Sequence, residues 1–417
     1  MQYGLIGKTL GHSFSKEIHS LIAPYDYSLK EIAPENLESF ILGKEYLGLN
    51  VTIPYKESVI PFLDEVSPIA KKIGAVNTVV NKNGKLCGFN TDYFGAKALI
   101  EKNGIVISGK KVIVLGTGGT SKTFSQVLSD LGAEKIINLS RTPDKNSISY
   151  EEGVKCHFDA SVIVNTTPVG MHPNDQNQPI DISAFKNLQA VIDVIYNPLR
   201  TRLIESAKKR KIKAVNGLYM LCAQAVKASS LFIGVDFSQS KIDEVYNKTL
   251  NLKRNIVLIG MPSCGKTSVG KALAKKLCLD FVDTDEMIES ANKKTVTDIF
   301  SEGGESAFRD LESIAVREAS LKTGRVIATG GGAILREVNL ENLRKNGIIV
   351  FINRALENLI TTTSRPLSSN KSELEKRFNE RFTIYKNSCD IEVDGNDLLD
   401  KVAEKIIMRL ENEDISY

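Results

Sequence analysis

The 417-residue sequence predicts an α/β protein with several folding units. Three observations carry that expectation. Short apolar strand-like runs alternate with helical stretches along the chain, two glycine-rich loops each stand between a strand and a helix, and the length exceeds one core of common size. Within residues 1–105 the runs Tyr3–Gly7, Leu47–Thr52, Asn77–Asn81 and Lys85–Asn90 alternate with helical stretches such as Pro34–Leu42. Lys82-Asn83-Gly84 suits a hairpin turn, because Asn and Gly accept positive φ. From 106 to about 215 the strands become uniformly apolar: Val112–Leu115, Lys135–Leu139, Val162–Val164 and Ala190–Ile195. Continuous apolar strands separated by helices indicate a parallel sheet covered on both faces. A helical segment, Gly217–Ile233, and a polar stretch, Asp236–Arg254, precede a new apolar strand, Asn255–Ile259.

The expected organisation is therefore an α/β unit over 1–105 to which helices of 217–245 return, a dinucleotide-binding unit over 106–216, a linker over 246–254, and a further nucleotide-binding unit over 255–417. With 42% apolar and 25% charged residues the chain has the balance of an ordinary globular protein. A net charge of +4 is too small to argue for a polyanion partner. The basic run Lys208-Lys-Arg-Lys-Ile-Lys213 has no interleaved aromatic residues and reads as a helix end, where cations suit the dipole. The six cysteines are scattered without C-x-x-C spacing, so neither a zinc site nor a disulfide framework is expected. No run of about 18 apolar residues occurs, and a cytoplasmic enzyme without nucleic-acid or membrane partners, monomeric or homodimeric, is the expectation. None of the four histidines is assigned chemistry.

The first glycine-rich loop follows strand Val112–Leu115 as Gly116-Thr-Gly118-Gly119-Thr-Ser121, with a helical stretch after it. Gly116 permits the tight turn, Gly118 and Gly119 let backbone approach a pyrophosphate, and the helix N-terminus favours its charge. Ser121 stands where the fingerprint wants Gly or Ala. At the end of the next strand the chain reads Ser140-Arg141-Thr142 rather than an acidic residue. Arg141 can pair with a 2′-phosphate, and Ser140 and Thr142 can donate to it, which favours NADP(H) over NAD(H).

The second loop, Gly260-Met-Pro-Ser263-Cys264-Gly265-Lys266-Thr267, is a full P-loop between strand Asn255–Ile259 and helix Ser268–Leu277. Its backbone N–H groups, including those of Gly260, Ser263, Cys264 and Gly265, would cradle the phosphates of ATP. Lys266 would bridge the β and γ groups, and Thr267 would hold Mg²⁺. A phosphotransferase is the reaction class.

Two resemblances sharpen these readings. Residues 1–245 resemble the shikimate dehydrogenase family through Gly11-His-Ser13-Phe-Ser15-Lys16, Asn50-Val-Thr52-Ile-Pro54-Tyr-Lys56, Gly74-Ala-Val-Asn77-Thr78, Gly88-Phe-Asn90-Thr91-Asp92, Asp193-Val-Ile-Tyr196-Asn-Pro198 and Gly217-Leu-Tyr-Met220-Leu-Cys-Ala-Gln224. The resemblance implies Lys56 and Asp92 as the catalytic pair. A Lys oriented by a carboxylate is placed to deliver a proton to a developing alkoxide. Ser13 and Ser15 suit a substrate carboxylate, and Thr52, Asn77 and Gln224 suit hydroxyls. Tyr196, Gly217 and Met220 fall to substrate and nicotinamide packing within a Rossmann-type arrangement.

Residues 255 to about 410 resemble shikimate kinase through Phe281-Val-Asp283-Thr-Asp285, Gly304-Glu-Ser-Ala-Phe308-Arg309, Ala328-Thr-Gly330-Gly331-Gly332, Arg365-Pro-Leu367 and Arg381-x3-Tyr385. This resemblance implies that Asp283 suits the Mg²⁺ water shell, Asp285 orients or deprotonates the acceptor hydroxyl, and Arg309 and Arg381 clamp its carboxylate. Gly331 and Gly332 allow close approach of the acceptor ring. Arg365 comes from a lid and stabilises the transferring phosphoryl group. Leu359-Ile-Thr-Thr-Thr-Ser364 has no Arg where one is expected to stack on adenine.

Together the resemblances imply a bifunctional enzyme that reduces 3-dehydroshikimate to shikimate with NADPH and then phosphorylates shikimate with ATP and Mg²⁺. The alternatives are an NAD-linked quinate/shikimate dehydrogenase fused to the kinase, or a chain in which one half is a non-catalytic binding module.

Overall fold

The computed structural model describes residues 2–11, 13–359 and 371–412. They form two compact units, residues 1–250 and 251–416. The first contains two sheets. Strands β1 (Tyr3–Gly7), β2 (Tyr27–Glu31), β3 (Gly48–Val51), β4 (Glu65–Val66), β5 (Thr78–Lys82) and β6 (Lys85–Phe89) pair in the order β2-β1-β3-β5-β6-β4. Strand β5 runs antiparallel to both β3 and β6, while β1 is parallel to β2 and β3. The β5–β6 turn is made by Asn83 and Gly84, both at positive φ (52° and 88°), as a two-residue hairpin demands. This topology sets the end of β3, the start of β5 and the end of β6 side by side, so the segments around Lys56, Asn77 and Asp92 converge at one end of the sheet.

The second sheet is wholly parallel: β7 (Lys111–Leu115), β8 (Lys135–Leu139), β9 (Val162–Asn165), β10 (Ala190–Asp193) and β11 (Lys213–Val215), ordered β11-β10-β9-β7-β8. Its three central strands, β7, β9 and β10, are buried, as continuous apolar runs covered on both faces must be. The order reverses between β7 and β9, and that crevice, outside the strand C-termini, is where doubly wound sheets take ligands. Helix Arg202–Lys209 ends in the basic run, with Lys208 and Lys209 in its last turn.

Asp193 closes β10 inside this core, fully buried, taking hydrogen bonds from Thr201 Oγ1 (2.6 Å), Asn165 Nδ2 (3.0 Å) and Ile195 N (3.2 Å). Burial pushes its carboxyl up to about 6, against the pull of those three donors. A raised folded-state pKa means that the contribution to stability is present below about pH 4 and is lost as pH rises through about 6, a span worth about 3 kcal/mol. Asp193→Asn keeps the carbonyl for Asn165 and Ile195 and offers Thr201 an amide. Thermal unfolding of the first unit followed from pH 4 to 7 should lose that falling segment in the variant; an unchanged profile would reject the assignment.

The second unit holds one parallel sheet, β12 (Asn255–Ile259), β13 (Asp280–Asp283), β14 (Arg325–Ala328), β15 (Gly347–Asn353) and β16 (Ile391–Asp394), ordered β13-β14-β12-β15-β16. The P-loop leaves the central strand β12. To one side lie β14 and β13, to the other β15 and β16. Residues 246–254, expected as a linker, lie mostly in helix Gln239–Lys253, whose Ile242, Val245 and Leu250 are buried. The polar appearance of that stretch reflects an exposed helix face, not an irregular segment.

Candidate active sites

In the first unit the convergence of strand ends becomes a site. Lys56 sits in helix Tyr55–Ser58, just after β3, and Asp92 in the first turn of helix Thr91–Lys102, just after β6. Lys56 Nζ donates to Asp92 Oδ2 at 2.6 Å, with the two side chains 15% and 4% exposed. Asn90 caps the helix through Tyr93 N, and the helix N-terminus favours the Asp92 carboxylate. Withdrawing an ion pair this far from water costs about as much as its attraction returns, so stability alone does not account for it.

Around the pair, Asn77 Nδ2 donates to Gln224 Oε1 and to Thr91 Oγ1, both at 3.1 Å, and its Oδ1 accepts from Thr91 N at 2.7 Å. Gln224 reaches Asn77 because helix Leu218–Ile233 packs tightly on helix Thr91–Lys102 at Gly95. A Cβ there would lie 2.6 Å from Met220 O and 3.2 Å from Gln224 Cβ. Sequence reasoning missed Gly95, since a glycine inside a helix carries no local sign of what it abuts. Ser13 and Ser15 are mutually bonded, Oγ to Oγ at 3.0 Å, before helix Ser15–Ile22. Phe14 between them meets the Tyr196 ring at 5.2 Å, which joins that loop to the segment after β10. Thr52 follows β3 directly, half-buried, and its N–H donates to Ile6 O at 2.9 Å.

The dinucleotide loop lies at the β7/β9 reversal. Gly116 adopts φ +106° with Thr166 of the β9 end beside it, a conformation that excludes side chains. Gly118 is extended with open space around its Cα, and a Cβ on Gly119 would stand 3.7 Å from Lys56 Cδ. The loop therefore faces the Lys56–Asp92 pair. Ser121 departs from the fingerprint without harm: buried, it donates to Gly116 O at 2.7 Å and ties the turn together. Ser140 Oγ is engaged within its own loop, with Thr142 O at 3.0 Å and Thr142 N at 3.2 Å. Arg141 is exposed and makes no ion pair among the described residues. Gly217 is the N-cap of helix Leu218–Ile233, where a Cβ would overlap Val194 O at 2.0 Å, and Met220 is buried in that helix.

In the second unit Gly260, Ser263 and Gly265 take positive φ (146°, 64° and 99°), the curl that turns successive N–H groups inward. Lys266 Nζ bonds Gly260 O and Met261 O, both at 2.9 Å, and Cys264 is buried. Thr267 Oγ1 donates to Asp283 Oδ2 at 2.7 Å. Asp283 in turn caps helix Thr284–Asn292 by accepting from Asp285 N at 2.9 Å. A cavity of ≈ 350 Å³ is lined by Thr267, Asp283, Asp285, Arg309, Gly331 and Arg381, among others. Residues far apart in the chain thus share one wall of polar groups.

Both arginines are held by hydrogen bonds. Arg309 Nη1 donates to Glu312 Oε2 at 2.6 Å and Nη2 to Glu305 Oε1 at 3.0 Å, while Arg381 Nη1 donates to Gly331 O at 3.3 Å. A Cβ on Gly332 would fall 2.4 Å from the Arg309 guanidinium nitrogens, so this glycine makes room for the cation. Gly304, at φ +71° and ψ −177°, breaks the segment Val296–Leu321 into two helices and aims the second one, bearing Arg309, at the cavity. Glu312 is 0% exposed, and burial pushes its carboxyl up against the pull of Arg309. Its other oxygen abuts Gly330 and has no hydrogen-bond partner among the described residues. Sequence reasoning missed Glu312 as well, although its spacing three residues after Arg309 on a helix is a readable signal. Tyr385, fully buried, donates to Gly331 O beside Arg381. Arg365 lies outside the described residues.

A shikimate dehydrogenase NADP(+) from Clostridium perfringens strain SM101 is 37% identical over 264 residues, covering 59% of this chain and 97% of its own. The chain belongs to the shikimate dehydrogenase family. The family model of the shikimate dehydrogenase substrate-binding domain matches residues 5–79, and that of shikimate kinase matches residues 262–411. A chorismate mutase/shikimate 5-dehydrogenase fusion protein from Clostridium acetobutylicum matches at 36% identity and TM-score 0.56, covering 59% of this chain and 96% of that one. The Thermus thermophilus shikimate 5-dehydrogenase in complex with NADP(H) and shikimate matches at 29% and 0.54, covering 60% and 99%. With a shikimate dehydrogenase first unit and a shikimate kinase second unit, the chain is a bifunctional shikimate-pathway enzyme.

Proposed function

We propose that the first unit reduces the ketone of 3-dehydroshikimate to shikimate and that the second phosphorylates the new 3-hydroxyl. One observation carries the first half of this reading: the 2.6 Å Lys56–Asp92 pair lies directly against the glycine loop that binds the dinucleotide. NADPH, when bound, supplies the hydride to the carbonyl carbon. Lys56 gives its proton to the carbonyl oxygen as the alkoxide develops, and Asp92 keeps the ammonium oriented beforehand. Asn77 and Gln224 hold substrate hydroxyls, with Thr52 beside them, and Ser13 and Ser15 turn their hydroxyls to the carboxylate. Substrate binding falls to 1–105 with 217–245 and dinucleotide binding to 106–216.

In the second unit the donor set fits a hard divalent cation: Thr267 Oγ1 and Asp283 Oδ2 lie 2.7 Å apart at the end of the P-loop. Mg²⁺ held there with ATP would supply charge neutralisation at the phosphates. Asp285 accepts the proton of the acceptor hydroxyl. Arg309 and Arg381 bind its carboxylate, Glu312 keeps Arg309 in place, and Lys266 leaves its carbonyl partners for the phosphates. Among the described residues no helix is long and apolar enough to cross a membrane, which fits a cytoplasmic biosynthetic enzyme.

The deciding assay supplies purified chain with 3-dehydroshikimate, NADPH, ATP and Mg²⁺ and looks for shikimate 3-phosphate. Accumulation of shikimate without phosphate would reject the kinase half, and no oxidation of NADPH would reject the reductase half. The exposed, unpaired Arg141 gives a second test. Arg141→Ala should raise the KM for NADPH about tenfold, the scale of one charge-assisted contact, and leave that for NADH unchanged. Equal effects on both cofactors would remove Arg141 from the 2′-phosphate site.

A further inference from the structure

Two strand ends in the first unit are tied together by side chains that neither hydride nor proton transfer uses. Asn165 closes β9 and Asp193 closes β10, both 0% exposed. Each folds the chain beyond it into a tight turn by accepting from the backbone two residues on. Thr167 N reaches Asn165 Oδ1 at 3.0 Å, and Ile195 N reaches Asp193 Oδ1 at 3.2 Å. The turns are joined by Asn165 Nδ2, which donates to the same Asp193 oxygen at 3.0 Å.

The first turn lies against the dinucleotide loop. Thr166 Oγ1 and Thr167 Cγ2 stand 3.0 Å and 3.1 Å from where a Cβ on Gly116 would be, and Thr166 Oγ1 donates to Leu115 O at 2.6 Å. The second turn sets Val194 O against Gly217 and carries Tyr196 to Phe14, between Ser13 and Ser15. One buried carboxylate thus anchors an edge of the dinucleotide crevice and an edge of the serine loop.

Asp193 accepts from three neutral donors and makes no ion pair among the described residues, a costly arrangement for a buried acid. What the charge contributes is direction. An ionised carboxylate only accepts, so Asn165 must turn Nδ2 to it and Oδ1 to Thr167, whose backbone N–H only donates. The opposite amide orientation would set oxygen against oxygen and N–H against N–H. Asn165 is therefore locked from both ends.

We propose that Asn165 and Asp193 are positioning residues of the reductase: Asn165, oriented by Asp193, sets the edge of the dinucleotide site at Gly116, and Asp193 also sets the Tyr196 edge of the substrate site. The inference rests on the reductase reading of the first unit. It makes the two edges separable, because only Asp193 serves both turns.

Equilibrium titration of the full chain with NADPH, together with the KM for 3-dehydroshikimate at saturating NADPH, tests that division at about pH 8, where Asp193 is ionised. Asn165→Ala should weaken NADPH about tenfold, the scale of one buried hydrogen bond to a charged group, and leave the substrate KM unchanged. Asp193→Ala should raise both constants. Asp193→Asn keeps Oδ1 for Asn165 and Ile195 and should restore both to near the parent values. Should Asn165→Ala not fold, Asn165→Ser carries the test: its hydroxyl serves Thr167 N more weakly, so NADPH binding should still weaken, by less. A merely structural role would lower the unfolding midpoint and the active fraction without moving either constant, and that result would overturn the proposal. Parent NADPH affinity in both Asn165 variants would overturn it too, as would an Asp193→Asn variant as impaired as Asp193→Ala. Failure of the unsubstituted chain to bind NADPH would instead overturn the reductase reading, and the proposal with it.

Discussion

Lys56→Ala should lower the turnover of 3-dehydroshikimate reduction by about a thousandfold, within the range that positioned proton donors contribute, while phosphorylation of added shikimate continues at the parent rate. The asymmetry follows from the division of the chain, since Lys56 belongs to the compact unit of residues 1–250 and the P-loop to that of 251–416. Removing Lys56 also leaves Asp92, 3% exposed, without its cation at 2.6 Å, which disturbs the site as well as removing the proton donor. The Lys56→Ala/Asp92→Asn double variant separates the two effects: groups that act as one unit are not additive, so the double should be about as slow as the single. NADPH oxidation measured at saturating substrate checks both. A turnover within tenfold of the parent in Lys56→Ala would remove it from the proton path.

Asp285→Asn should have the complementary effect. The carboxylate lines the ≈ 350 Å³ cavity with Arg309 and Arg381, in the first turn of a helix capped by Asp283. An amide in its place keeps the size and a hydrogen bond but cannot take a proton. Phosphoryl transfer to shikimate should fall by about a hundredfold to ten-thousandfold, with shikimate affinity nearly unchanged and the reductase rate unaffected. Single-turnover phosphate transfer together with equilibrium shikimate binding separates the two quantities. A variant that loses affinity and keeps its turnover would make Asp285 a binding group only.

Both predictions concern residues that stand inside recognisable stretches of the sequence, and the reason for their legibility is local. A P-loop is a contiguous set of residues whose types are dictated by backbone curl and phosphate charge, so Gly260, Gly265, Lys266 and Thr267 declare themselves in a single stretch. The same holds for the turn at Gly116 and for the hairpin at Asn83-Gly84. Where the chemistry is spread over distant segments, only their resemblance to known motifs brings Lys56 and Asp92, or Asp285 and Arg309, under one reading. Glu312 shows the limit. It is separated from Arg309 by a single helical turn, yet its importance comes from complete burial, which no pattern of three residues states.

By itself the sequence determined the class of fold, the two nucleotide loops and the residue types available for proton and phosphoryl transfer, because propensity, periodicity and loop chemistry act between near neighbours. Tertiary structure alone decided which groups meet. Asn77 and Gln224, 147 positions apart, share a hydrogen bond because Gly95 lets two helices close on each other. Asp193 is driven toward neutrality by burial beneath Thr201 and Asn165. Arg354, unremarkable in sequence, acquires its position beside Gly265 because parallel pairing of β12 with β15 brings their C-terminal ends together. Packing and strand order act across the whole chain, and no local period records them.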